Sequence, residues 1–117
     1  MKSENKILEM SFDFALQIIE LYKTLIDKKE FILSKQLMRS GTSIGANVEE
    51  AIAAQSRKDF ISKMSIASKE ARETRYWLKL LNQSKLSLID YSPHLASAEH
   101  IVNILTKIVK TSQGGTT

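Results

Sequence analysis

The sequence predicts an all-α protein, an antiparallel up-down-up-down four-helix bundle. Three observations carry the prediction. Four segments repeat apolar residues by alternating threes and fours, the period of a helix with one buried face. Breakers are scarce, with one proline and four glycines in 117 residues. The links between segments are short, which sets consecutive helices antiparallel. The length suits one domain with a moderate core, residues 1–112. The closing "TSQGGTT" leaves 113–117 as an expected disordered tail.

The first helix is expected over about 4–29. Ile7, Ser11, Phe14, Ile18, Leu21 and Leu25 form one apolar stripe. Leu8, Phe12, Ala15, Ile19, Tyr22 and Ile26 form a second beside it. Together they make a face wider than one partner helix needs. "KKEFILS" interrupts the pattern, and Ser34 is the expected N-cap of a second helix over 34–55. Leu37, Gly41, Ile44, Val48 and Ile52 mark its core stripe.

The third helix is expected over 57–84, opened by Ser56 with Asp59 three positions on, a capping-box spacing. Phe60, Met64, Ala67, Ala71, Thr74, Leu78 and Leu81 repeat by fours and threes, and the small middle residues suit close approach to a neighbour. "NQSKLSLIDYSP" connects to a fourth helix over 93–111, with Ser92 as cap and Pro93 at the first helical position. Leu95, Ala98, Ile101 or Val102, Leu105 and Ile108 would be buried.

Composition narrows the function classes. The content, 43% hydrophobic and 26% charged, is that of a soluble globular protein. No cysteine is present, which excludes disulfides and thiolate metal sites. No apolar run approaches the roughly 18 residues of a membrane span, and the N-terminus has no signal-like apolar region, so a cytoplasmic protein is expected. The formal charge of +4 is uneven. Residues 57–85 hold eight Lys/Arg against three acids, so a polyanion-binding surface would centre there.

"MRSGTSIGANVEEA" (38–51) raises the question of a phosphate loop. A P-loop needs two glycines five apart followed by Lys and Ser/Thr. Here Gly41 and Gly45 are four apart and Ala46-Asn47 follows, so the stretch reads as helix interior. Interior glycines cost about 1 kcal/mol each against alanine. Close approach of another helix offsets that, either a crossing within the bundle or a subunit contact. Arg39, Ser43, Asn47 and Glu50 form a polar stripe beside them. It reads either as a hydrogen-bond network reaching Glu70 or Glu73, or as a solvated face.

Opposite the apolar repeat of the third helix run Lys58, Ser62, Ser65, Lys69, Arg72, Tyr76 and Lys79. Cations, hydroxyls and a tyrosine on one ridge suit contacts to nucleic-acid backbone, and they also suit a solvated face. Trp77, the single tryptophan, suits core or interface packing, with base stacking as the other reading. Catalysis is not expected. His94 and His100 are six apart and face different ways, and Glu70 and Glu73 lack the Glu-x-x-His pairing of di-iron bundles. No catalytic, metal-binding or cofactor-binding residue is expected.

"RSGTSIGANVEEA" (39–51), "SRKDF" (56–60) and "EARETRYWLKLL" (70–81) resemble the bacterial four-helix bundle proteins. These are also called 23S rRNA intervening-sequence proteins, because some are encoded within insertions in 23S rRNA genes. The family pattern Arg-x-x-x-Ser-Ile-x-x-Asn-x-x-Glu is matched by Arg39, Ser43, Ile44, Asn47 and Glu50, with Glu73 and Trp77-Leu78 in the third helix. Many relatives carry proline at the position of Gly45, so a kink there is expected to be weaker or absent.

The resemblance implies a ring, typically a pentamer. It extends to the accessory variability protein of diversity-generating retroelements, a basic pentameric barrel that binds nucleic acid and a reverse transcriptase. The expectation is a non-enzymatic homo-oligomer binding RNA or DNA through Lys58, Lys69, Arg72 and Lys79. Arg39, Gly41, Ser43, Gly45, Asn47, Glu50, Glu73 and Trp77 would organise the bundle or subunit interface. The alternative is a scaffold that binds another protein and no nucleic acid.

Overall fold

The structure, a computed structural model, describes residues 2–114. Four helices follow in order: α1 (Lys2–Asp27), α2 (Leu33–Ile52), α3 (Arg57–Ser84) and α4 (Ser92–Gly114). Each packs on its sequence neighbours, and α1 meets α4 along the thinnest seam to close an up-down-up-down bundle. The rod measures 48 × 22 × 21 Å. α4 continues to Gly114, into the stretch expected to be a tail, and residues 115–117 of that expectation lie outside the described residues.

The periodic stripes form the core. Ile7, Phe14, Ile18, Leu21 and Leu25 of α1 are buried, with Ser11 among them donating to Leu8 O at 3.2 Å. From α2 come Leu37, Ile44, Val48 and Ala51. Ile52, expected at the end of that stripe, is instead exposed, because the last inward turn falls on Ala51. α3 contributes Met64, Ala67, Ala71, Leu78 and Leu81, and α4 contributes Ala98, Ile101, Val102 and Leu105. Both Ile101 and Val102 are covered; Leu95 and Ile108 pack at the core's edge. The second α1 stripe is different: Phe12 is 64% exposed, and Leu8, Ala15, Ile19, Tyr22 and Ile26 are half-buried.

The first turn between helices is built around Glu30. α1 ends with Glu30 N–H donating to Leu25 O and Lys29 N–H donating to Ile26 O, both at 2.9 Å. This is the paired closure in which the residue after the cap turns left-handed; that residue is Lys29, at φ 66. The Glu30 carboxylate then accepts from the N–H groups of Ile32, Leu33 and Ser34 at 3.1, 3.0 and 2.6 Å. It satisfies three of the donors that a helix start leaves open, and a negative charge there is favoured by the helix dipole. Ser34 is therefore not the N-cap. It lies inside the first turn, buried, with its hydroxyl donating to Glu30 O at 2.6 Å.

The other helix starts follow the same economy. Ser56 Oγ accepts from Asp59 N–H at 3.0 Å and caps α3. At α4 the helix begins one residue early, at Ser92. Its cap acceptor is Asp90, which takes the Ser92 N–H at 3.0 Å and the Ser92 hydroxyl at 2.6 Å. Pro93 follows at the second position, where a missing N–H costs no intrahelical bond. Tyr91, in the link, is buried against the core and donates to Ser87 O at 3.1 Å.

Candidate nucleic-acid interface

The cations concentrated in α3 separate into two groups once the neighbouring helices are in place. Those on its flanks are tied down. Lys63 pairs with Glu50 of α2 at 2.9 Å, and Arg75 pairs with Glu99 of α4 at 2.8 Å. Arg57 donates from two nitrogens to Ser112 O, at 2.8 and 3.3 Å. The hydrogen bond to Glu50, helped by its charge, holds the Lys63 ammonium above its ordinary pKa.

Those on the outer ridge are not. Lys58, Lys69 and Lys79 are exposed, with no acidic partner among the described residues. Arg72 is exposed too, but one guanidinium nitrogen donates to Thr106 Oγ1 of α4 at 2.9 Å, which fixes its position. Tyr76 stands in the same row, 54% exposed.

The polar stripe of α2 crosses to α3 at its two ends and bonds to its own backbone between them. Arg39 donates to Glu70 Oε1 at 3.2 Å and to Glu73 Oε2. Trp77 Nε1–H donates to the same Glu73 oxygen at 3.0 Å. The Trp77 hydrogen bond, and then Arg39, hold the Glu73 carboxyl below its ordinary pKa against the opposing effect of partial burial. At the far end Glu50 meets Lys63. In the middle Ser43 Oγ donates to Ser40 O at 3.0 Å and Asn47 Nδ2 donates to Ser43 O at 2.9 Å.

Two contacts lay outside the sequence expectations. The Ser40 and Thr74 hydroxyls meet at 2.9 Å in the buried α2–α3 interface, and Thr74 also reaches Glu70 O at 2.8 Å. Thr74 sits in the apolar repeat, so its register signalled burial, while the Ser40 hydroxyl, which also reaches Leu37 O of its own helix at 3.5 Å, belongs to no stripe read from the sequence. The Tyr76 and Trp77 rings meet edge-on, with centroids 5.2 Å apart and planes at 66°. Adjacent residues on a helix point about 100° apart, so their contact is not read from periodicity.

The glycines belong to the crossing of α2 on α1. A Cβ on Gly41 would stand 2.9 Å from Ile18 Cγ2, closer than side chains tolerate. One on Gly45 would stand 3.4 Å from Ser11, ordinary contact. Both face the bundle interior, and α2 runs unbroken through position 45.

Among the described residues, no group of three or more His, Cys, Asp or Glu is placed to hold a metal ion. Among the same residues, no helix is long and apolar enough to cross a membrane.

Comparison with known proteins follows the same lines. Residues 3–107 match the family described as 23S rRNA-intervening sequence protein. The chain is also similar to a crystal structure from Bacteroides thetaiotaomicron, described as a protein of unknown function from the S23 ribosomal protein family. The two share 47% identity over 93% of this chain and 99% of that one, with a TM-score of 0.88. No match is found among curated proteins.

Proposed function

The chain belongs to the 23S rRNA-intervening sequence protein family, and from that premise we propose a non-enzymatic, self-assembling bundle of the cytoplasm that binds RNA or DNA through the outer face of α3. The carrying observation is the separation of charge on that helix. Lys63 and Arg75 are spent on neighbouring acids, while Lys58, Lys69 and Lys79 stand exposed along about 30 Å of helix surface. A row of cations without local partners is what backbone recognition of a polyanion uses. Arg72, held by Thr106, adds a fourth charge at a fixed place.

Assembly is supported by the second α1 stripe. Phe12 is exposed, Leu16 beside it is exposed, and Leu8, Ile19, Tyr22 and Ile26 are only half-covered by the bundle. A contiguous apolar strip on a small protein is a contact surface. The proposed assembly is a closed homopentameric ring, as the resemblance of the sequence implies, in which each subunit covers the strip of the next.

The test is equilibrium binding of mixed-sequence RNA and DNA to the purified chain at low salt. Salt-sensitive binding supports the reading, and absence of binding overturns it. A protein-binding scaffold is the second reading. Exposed Phe31 and Ile32 in the α1–α2 link and Leu86 and Leu88 in the α3–α4 link favour it, because antiparallel topology brings both links to one end of the rod.

A further inference from the structure

We propose that the α3 face selects single-stranded nucleic acid, with the Tyr76 ring as a stacking platform for an unpaired base. The inference rests on the nucleic-acid reading above and adds the form of the ligand.

The support beneath Tyr76 is a chain of contacts running across two helices. Its ring meets Trp77 edge-on at 5.2 Å, a geometry that does not stack the two rings and leaves Tyr76 54% exposed. Trp77 is itself partly buried against the core, and its Nε1–H is bound to Glu73 at 3.0 Å. Glu73 is bound in turn by Arg39 of α2, which also holds Glu70 at 3.2 Å. An exposed aromatic ring on a helix surface is ordinarily free to swing between rotamers. Here the neighbouring indole is fixed at its polar end and at its apolar face, so Tyr76 leans on an immobile group. Such preorganisation lowers the ordering cost of binding.

The surroundings match the chemistry of a strand. Arg72 lies one turn before Tyr76 and Lys79 lies three residues after it, with Lys69 two turns before, all exposed on the same ridge. Phosphates are thereby met on both sides of the ring. A duplex offers a helix its phosphates and the base edges in its grooves but no open base face, because its bases are stacked on one another. An unpaired base has a free π-face, and stacking on an aromatic side chain is independent of sequence. On the ridge only Arg72 carries a fork that could meet a base edge, and one of its three guanidinium nitrogens is already bound to Thr106. Recognition is therefore by form, with little sequence preference.

Trp77 is the only tryptophan, so its fluorescence reports on this spot alone. The experiment compares short mixed-sequence single-stranded RNA and DNA with the same sequences as duplexes, read by anisotropy and by Trp77 emission. The expected result is tighter binding of both single strands, with a change in Trp77 emission that duplexes do not produce. Tyr76→Ala should weaken single-strand binding about ten-fold and leave duplex binding unchanged, while Tyr76→Phe keeps the wild-type affinity. If Tyr76→Ala binds single strands like the wild type, or duplexes bind as well as single strands, the stacking inference is overturned while the phosphate-binding ridge stands. If the wild type binds neither form at low salt, the underlying reading fails with it.

Discussion

Arg39 of α2 and Glu73 of α3 are paired across the helix interface, and Glu73 receives the Trp77 indole N–H on the same oxygen. One carboxylate thus ties a cation on one helix to the single tryptophan on the next. The Arg39 side chain is half exposed and that of Glu73 about one third exposed, so solvent screens the pair. A double-mutant cycle with Arg39→Ala and Glu73→Ala, read by chemical denaturation, should give a coupling of about 0.5–1 kcal/mol.

The same carboxylate sets a pH dependence. The Glu73 pKa is lowered from 4.5 in the folded chain, chiefly by the Trp77 hydrogen bond. A depressed carboxyl stabilises the fold fully above its unfolded value, and that contribution is lost as pH falls through the folded value. Wild-type stability should therefore fall more steeply than that of Glu73→Gln as pH is lowered below about 4.5. Parallel curves in a pH series of denaturant melts would contradict the assignment.

The two glycines of α2 should respond oppositely to alanine. At Gly41 the new Cβ meets buried, β-branched Ile18 at 2.9 and 3.0 Å. Overpacking costs about 1–3 kcal/mol, more than the roughly 1 kcal/mol gained in helix propensity. Gly41→Ala should destabilise. At Gly45 the contacts stay at 3.4 Å or beyond, so Gly45→Ala should stabilise by about 0.5–1 kcal/mol. Equal effects of the two substitutions on the denaturation midpoint would show that the α1–α2 crossing is misplaced.

The α1–α2 turn carries a second pair of opposite effects. Lys29 sits at φ 66, a region that costs a non-glycine residue about 1 kcal/mol. Lys29→Gly should raise stability by about that much. Glu30→Ala removes the acceptor of three helix-start N–H groups and should lower stability by about 1–2 kcal/mol. Thermal melts of the two variants distinguish them by sign.

Assembly should depend on the second α1 stripe. Phe12→Glu and Ile19→Glu place charge on a strip that the bundle leaves exposed at Phe12 and half-covered at Ile19, so the subunit should keep its helical content. Light scattering should show the wild type at five times the 13.2 kDa subunit mass and the double variant at the subunit mass. A wild type at the subunit mass would remove the ring.

Much of the bundle was legible because burial follows the helical period: Met64, Ala67, Ala71, Leu78 and Leu81 are buried in the register their spacing announces. Helix starts were less legible. Ser34 and Ser92 have the chemistry of caps, yet the carboxylates of Glu30 and Asp90 reach the open N–H groups from the links. A side chain acting from a link has no fixed spacing to announce it. Tyr91 was hidden for the same reason, lying outside any periodic stripe while buried in the core.

The ridge was legible as a row of cations, but its meaning depends on neighbours. That Lys63 and Arg75 are neutralised while Lys69 and Lys79 are not follows from where Glu50 and Glu99 stand on other helices. Arg72 shows the limit of a single-helix reading. It belongs to the ridge by register, and the hydroxyl that holds it, on Thr106, comes from α4.

The most direct test of the central claim is the salt dependence of nucleic-acid binding for the wild type and for the variant Lys58→Glu, Lys69→Glu, Lys79→Glu. All three residues are exposed, so the variant should fold and assemble as the wild type does. Single-stranded RNA or DNA should bind the wild type with a log–log salt slope shallower by about 2 once the three charges are lost, together with a large loss of affinity at low salt. An unchanged slope and affinity in the variant would contradict the account.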